Sequence, residues 1–110
     1  MEKQSSSLQE KIQWLVEDLK AYRPAKVILF GSAARGEADA YSDLDVVIIK
    51  QTQSPFVQRA IEAAKYLRPE VSPIDLFVYT PEEFHRMVEA ESSFIERILA
   101  EGRILYEEAA

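Results

Sequence analysis

The chain has 110 residues, enough for one domain with a single core. Apolar residues make up 47% and charged residues 29%, as in soluble globular proteins, and no apolar run nears the ~20 residues that span a bilayer. The formal net charge is −6 and basic residues are scattered, which disfavours a direct grip on nucleic acid and suits a basic protein partner. Cysteine is absent, so disulfides and thiolate metal sites are excluded; this fits the cytoplasm. Met1-Glu2-Lys3-Gln4 leads into serines, and no secretory leader or membrane segment is expected.

Leu8, Ile12, Leu15, Val16 and Leu19 recur at helical spacing and predict an amphipathic helix from about Ser7 to Tyr22. Ser7 and Glu10 fit a capping box, Trp14 reads as packing, and Arg23-Pro24 ends the helix. Val27-Ile28-Leu29-Phe30 is a strand-forming run that stops at Gly31. Gly31 removes the Cβ where the chain leaves the strand, so backbone can approach a ligand closely. Ser32 adds a hydroxyl where a helix or turn over Ala33 to about Glu37 begins, and the free amides of such a start favour phosphate. Arg35 carries a planar fork suited to phosphate oxygens, against the plainer reading of a surface salt bridge. Glu37, Asp39 and Tyr41 read as a polar loop, the acids solvated.

Ser42-Asp43-Leu44-Asp45 leads into a second apolar run, Val46-Val47-Ile48-Ile49. Residues two apart in a strand share a face, so Asp43 and Asp45 project together while Leu44, Val46 and Ile48 face away. Two carboxylates held so close repel unless a proton or cation sits between them, and all-oxygen ligands suit Mg²⁺ or Mn²⁺. Alone, such a D-x-D is weak, because aspartate is common at turns. Ile74-Asp75-Leu76-Phe77-Val78-Tyr79 reads as a third strand with an acid inside it, a costly placement unless the acid is paired or bound to metal. Asp75, Phe77 and Tyr79 share one face.

Between these strands, Ser54-Pro55 predicts a helix cap followed by proline at the first helical position. The helix runs to about Arg68, with Val57, Ala60, Ile61, Ala64 and Leu67 along one stripe, and Pro69 stops it. Strand–helix–strand favours a parallel pair joined by a right-handed crossover. Thr80-Pro81-Glu82-Glu83 predicts another capped helix with Phe84, Met87 and Val88 on its apolar face. His85, the only histidine, reads as surface. Phe94, Ile95, Ile98 and Leu99 mark a last helix, closed by Gly102 as its C′ residue, and Arg103 to Tyr106 an added strand before a frayed tail.

Gly31-Ser32, ten residues, Asp43-Leu44-Asp45 and a later strand with Asp75 together resemble the signature of the DNA polymerase β-like nucleotidyltransferases. The stretch from Phe30 to Gly36 followed by Ser42 to Asp45 is similar to the minimal nucleotidyltransferases, many of which are antitoxins encoded beside a HEPN-domain toxin. The resemblance spans nearly the whole chain and implies one α/β (α+β) domain: a small mixed sheet of about four strands flanked by helices. It implies transfer of AMP from ATP to a tyrosine hydroxyl of the HEPN toxin, within a hetero-oligomer of the two. Asp43, Asp45 and Asp75 would be the catalytic and metal residues, holding two Mg²⁺ ions, with Mn²⁺ an alternative. Gly31, Ser32, Arg35 and Ser42 would contact the nucleotide. Two alternatives are an antitoxin that acts by binding alone and a nucleotidyltransferase acting on a small-molecule hydroxyl. D-x-D glycosyltransferases are set aside, because their nucleotide-sugar domains are much longer.

Overall fold

The computed structural model describes residues 7–38 and 42–109. Expectations for the first residues, Asp39, Tyr41 and Ala110 lie outside the described residues. Helix α1 spans Leu8–Leu19 and begins as expected. The Glu10 amide donates to Ser7 Oγ at 3.0 Å, and the Ser7 amide donates to the Glu10 carboxylate at 3.0 Å. The chain then tightens into one 3-10 turn over Lys20–Tyr22 and stops at Arg23, whose φ of 63° is left-handed.

Four strands follow: β1 (Lys26–Phe30), β2 (Leu44–Ile49), β3 (Ile74–Tyr79) and β4 (Arg103–Glu107). They lie in the order β3-β2-β1-β4. β1 runs antiparallel to both β2 and β4, whereas β2 and β3 are parallel. The parallel pair follows from the crossover through helix α2 (Phe56–Ala64). Helices α3 (Pro81–Glu89) and α4 (Ser93–Glu101) come between β3 and β4. The expected mixed sheet of an α+β fold is therefore the one observed.

Period-two alternation gives the sheet two apolar faces. Val27, Leu29, Leu44, Val46 and Ile48 pack with Leu15 and Leu19 of α1 on one side. Ile28, Val47 and Ile49 pack with Ile95 and Ile98 of α4 on the other, where Phe84, Met87 and Val88 of α3 join them. Trp14 does serve packing: it borders the first cluster, and the Arg68 guanidinium lies 5.1 Å from its ring centre. Among the described residues no helix is long and apolar enough to cross a membrane.

Two expectations are corrected. Ser54 does not cap α2; its hydroxyl donates instead to the Glu62 carboxylate at 2.9 Å, and the helix starts at Phe56 and ends at Ala64. Leu67, beyond the helix end, packs on the core, but Val57 and Ile61 on the same stripe are 77% and 62% exposed. Arg59 and Ala63 face inward instead. The reason is a buried cation. Arg59 Nε donates to the Ser54 carbonyl at 2.8 Å and Nη1 to the Val78 carbonyl at 3.2 Å. Its two terminal nitrogens reach the Glu83 carboxylate at 2.7 and 3.2 Å. A guanidinium satisfied on every side fixes how α2 is rotated.

The second correction concerns Gly102. It closes α4 in an extended conformation, φ −68° and ψ 150°, rather than as a left-handed residue. Space, not dihedral freedom, requires glycine here: a Cβ would overlap the Ile98 carbonyl oxygen and lie 2.8 Å from Ile28 Cγ2.

Because Arg59 anchors α2 to β3 and α3, Arg59→Ala should cost about 3 kcal/mol by leaving a part-buried carboxylate and a buried carbonyl unpaired; urea unfolding measures it. Hydrogen bonds from Arg59 hold the Glu83 carboxyl below its ordinary value, and those from Arg68 do the same for Asp18. Depressed carboxyl values add stability above the unfolded values of 4.5 and 3.8, and that stability is lost as pH falls through the folded values. The urea midpoint should therefore drop on acidification below about pH 5, and less steeply in Arg59→Ala.

Candidate active site

The site forms where β1 ends and β2 and β3 begin. Phe30 pairs with Asp45 across β1 and β2, and Asp45 pairs with Asp75 across β2 and β3. Directly opposed residues of neighbouring strands point to the same face. Asp45 and Asp75 thus project together, on the face that carries Phe30, Phe77 and Phe94. Asp43 lies just before β2, exposed, two residues from Asp45.

Electrostatics show the convergence. Burial pushes the Asp45 carboxyl above its ordinary value of 3.8, and the charges of Asp75 and Asp43 and a hydrogen bond to Asp75 push it further. Among the described residues, however, no three acidic or histidine side chains are drawn close enough to hold an ion as they stand.

Gly31 is held at a left-handed φ of 76°, and a Cβ there would sit 2.5 Å from Asp45 Oδ2. The corner therefore demands glycine twice, once for its backbone and once for the carboxylate beside it. The following segment is a single 3-10 turn over Gly31–Ala33, not an α-helix. Amides of Ala34 and Arg35 both turn back to the Gly31 carbonyl, at 3.1 and 3.2 Å, and that of Glu37 to the Ser32 carbonyl at 3.0 Å. The first amides of such a turn have no partner within it and are its share of anion-binding capacity. An all-oxygen donor set beside a cradle that a Cβ would fill fits a hard divalent cation and the phosphates it carries.

The remaining expected residues fare differently. Ser42 is part-buried in the bend before Asp43. Arg35 is spoken for: Nε meets the Glu37 carboxylate at 3.1 Å and Nη1 the Glu101 carboxylate at 2.9 Å. His85 is exposed on α3, and its Nε2 lies 3.4 Å from the Glu89 carboxylate.

Sequence reasoning missed the wall supplied by α4. A cavity of about 170 Å³ opens at the corner, lined by Gly31 and Asp45 below, the rings of Phe30, Phe77 and Phe94, and the charged Arg97 and Glu101. The three rings interlock, with centroids 5.5–5.9 Å apart. The available signal was spacing: Phe94, Arg97 and Glu101 stand three and four apart, so both charges share the apolar side of α4. A larger cavity, about 580 Å³, lies by Lys26 and Ile49, at the opposite ends of β1 and β2, and takes in none of the three aspartates.

Residues 10–110 match the family described as Polymerase beta, Nucleotidyltransferase. The chain belongs to that family of nucleotidyltransferases. This nucleotidyltransferase is 34% identical over 84 residues to a candidate protein adenylyltransferase of Methanocaldococcus jannaschii, covering 76% of this chain and 80% of the relative. Its fold is similar to that of a toxin–antitoxin structure with AMP-PNP, at a TM-score of 0.63 and 20% identity over 88% of this chain and 73% of the other. It is also similar to a candidate nucleotidyltransferase from Sulfolobus solfataricus, at 0.59 and 18% over 97% and 91%.

Two outcomes test the corner. Gly31→Ala should lose about 2 kcal/mol in chemical unfolding, with part recovered when Asp45→Ala is added to clear the contact. Asp45→Asn should raise Tm at neutral pH. A raised carboxyl value means ionisation costs stability as pH climbs past 3.8, so the gain should shrink on acidification until both proteins carry a neutral group.

Proposed function

We propose that the protein is a metal-dependent adenylyltransferase that moves AMP from ATP to a hydroxyl of a partner protein, as the antitoxin of a HEPN/MNT pair. The observation that carries this reading is the pairing of Asp45 with Asp75 beside Gly31, with Asp43 close enough to be felt. Asp43, Asp45 and Asp75 would hold Mg²⁺. A metal bound there would supply positive charge for triphosphate oxygens and would ease ionisation of an acceptor hydroxyl. Gly31, Ser32 and Ser42 orient the phosphate tail through backbone and hydroxyl contacts. The acceptor oxygen attacks the α-phosphorus, its bond to phosphorus forms as the α–β bridge breaks, and pyrophosphate departs. Asp75, exposed on the edge strand, would take the acceptor proton.

Two likenesses support this choice of donor and acceptor. The relative from Methanocaldococcus jannaschii is named for protein adenylylation, and one similar structure is a toxin–antitoxin with AMP-PNP. The surface beside Asp75 favours a protein acceptor over a small alcohol. The outward stripe of α2 and the edge strand form a shallow depression lined by Ala60, Ile61, Ala64, Ile74, Leu76 and Asp75 itself. A partner seated there would bring a side-chain hydroxyl to the acid. The tyrosine of a helical HEPN toxin meets that requirement.

The same exposed stripe also favours a second reading, in which the antitoxin neutralises by covering the toxin alone. Co-expression with the toxin separates the two. Mass spectrometry should find AMP added to the toxin beside the unaltered antitoxin, and none beside Asp43→Ala/Asp45→Ala or after chelation in vitro. If that variant protects cells as well as the unaltered chain, covering suffices and the transferase reading fails.

A further inference from the structure

The geometry points to Arg97 of α4 as the residue that grips the polyphosphate tail of the nucleotide, in the place that the loop residue Arg35 would otherwise hold. This rests on the nucleotidyl-transfer reading. Four observations carry it. Arg97 lines the same cavity as Gly31 and Asp45, so its side chain is within the cavity that opens at the corner where phosphates would lie. Among the described residues it has no hydrogen-bond or ion-pair partner, although Glu101 stands one turn further along the same helix. Glu101 is instead neutralised by Arg35, which also meets Glu37. Arg35 is therefore held by two acids and carries no spare charge toward a ligand.

Charge bookkeeping in the cavity agrees. Arg35 already faces two carboxylates, Glu37 and Glu101, Asp45 is one of the proposed metal ligands, and Arg97 is the one cation lining the cavity. A planar guanidinium offers parallel donors to two oxygens of a phosphate chain, a match that a lysine cannot reproduce. The rings of Phe94, Phe30 and Phe77 wall one side of the cavity that Arg97 also lines. Being on a helix rather than a loop, residue 97 has its backbone fixed by α4's packing through Ile95 and Ile98 against the sheet.

Calorimetry on the full chain with Mg²⁺ tests it, using a nonhydrolysable ATP analogue, tripolyphosphate and adenosine as separate ligands. Arg97→Gln should weaken the analogue and tripolyphosphate alike, by about ten- to a hundredfold, the size expected for a charged hydrogen-bonded contact. Any affinity for adenosine should be unchanged. Arg97→Lys should recover part of the loss, and Arg86→Gln, an exposed cation on α3, should have no effect. Thermal unfolding should be unaltered in Arg97→Gln, because the side chain is exposed and unpaired. Analogue affinity of Arg97→Gln within about twofold of the unaltered protein would overturn the assignment. So would a loss confined to adenosine. If the unaltered, folded protein takes up no triphosphate at all, the nucleotidyl-transfer reading itself fails and this assignment falls with it, a result distinct from failure at Arg97 alone.

Discussion

One pairing governs this molecule: Asp45 beside Asp75 on adjacent parallel strands, with the backbone of Gly31 pressed against the first of them. Two carboxylates in register on a half-covered face are costly in a bare protein. Burial and two neighbouring negative charges all act against ionisation of Asp45. A fold tolerates such an arrangement only where the rest of the structure overdetermines it. Parallel pairing supplies that constraint. The crossover through α2 sets the register of β3 on β2 over six residue pairs, and the carboxylates are carried into place by it.

The scaffold that bears this cost is assembled from ordinary parts. Leu15, Leu19, Leu29, Leu44, Val46 and Ile48 are wholly buried on one side of the sheet. Ile95 and Ile98 close the other. Polar anchors tie the helices to specific neighbours: Arg68 binds Asp18 of α1, and Arg59 binds Glu83 of α3. Both arginines bridge elements distant in sequence, so they specify arrangement as much as they add stability. The charge at the corner is thus confined to one edge of a well-packed body and does not disturb the core.

The second consequence concerns surfaces. A helix that buries an arginine and an alanine and exposes valine and isoleucine reverses the usual amphipathic rule. Phe56, Val57, Ile61 and Tyr66 account for most of the large apolar side chains left exposed among the described residues. Ile61 lines the depression that Asp75 also lines, and Phe56 stacks beside Tyr79 on the same edge strand, so apolar surface and the acid adjoin there. Apolar surface beside the proposed site suits the protein acceptor proposed above.

Much was legible in the sequence because it depended on local chemistry. Capping boxes at Ser7 and Thr80, the strand runs around Val27, Val46 and Ile74, and the Gly31-Ser32 and Asp43–Asp45 spacing all express preferences of residues close together along the chain. The strand–helix–strand order even implied that Asp75 would come to lie beside Asp45. What local pattern could not decide was which of several suitable residues would find partners. Arg35 and Arg97 are equally good phosphate ligands in a string of letters. Only folding brought Glu101 to Arg35 and left Arg97, among the described residues, unpaired at the cavity. The apolar stripe of α2 had the right period to face inward, but the rotation of that helix is set by acceptors on Ser54, Val78 and Glu83, two of which lie about twenty residues away. Periodicity states which side chains share a face; long-range hydrogen bonding and charge pairing determine where that face points.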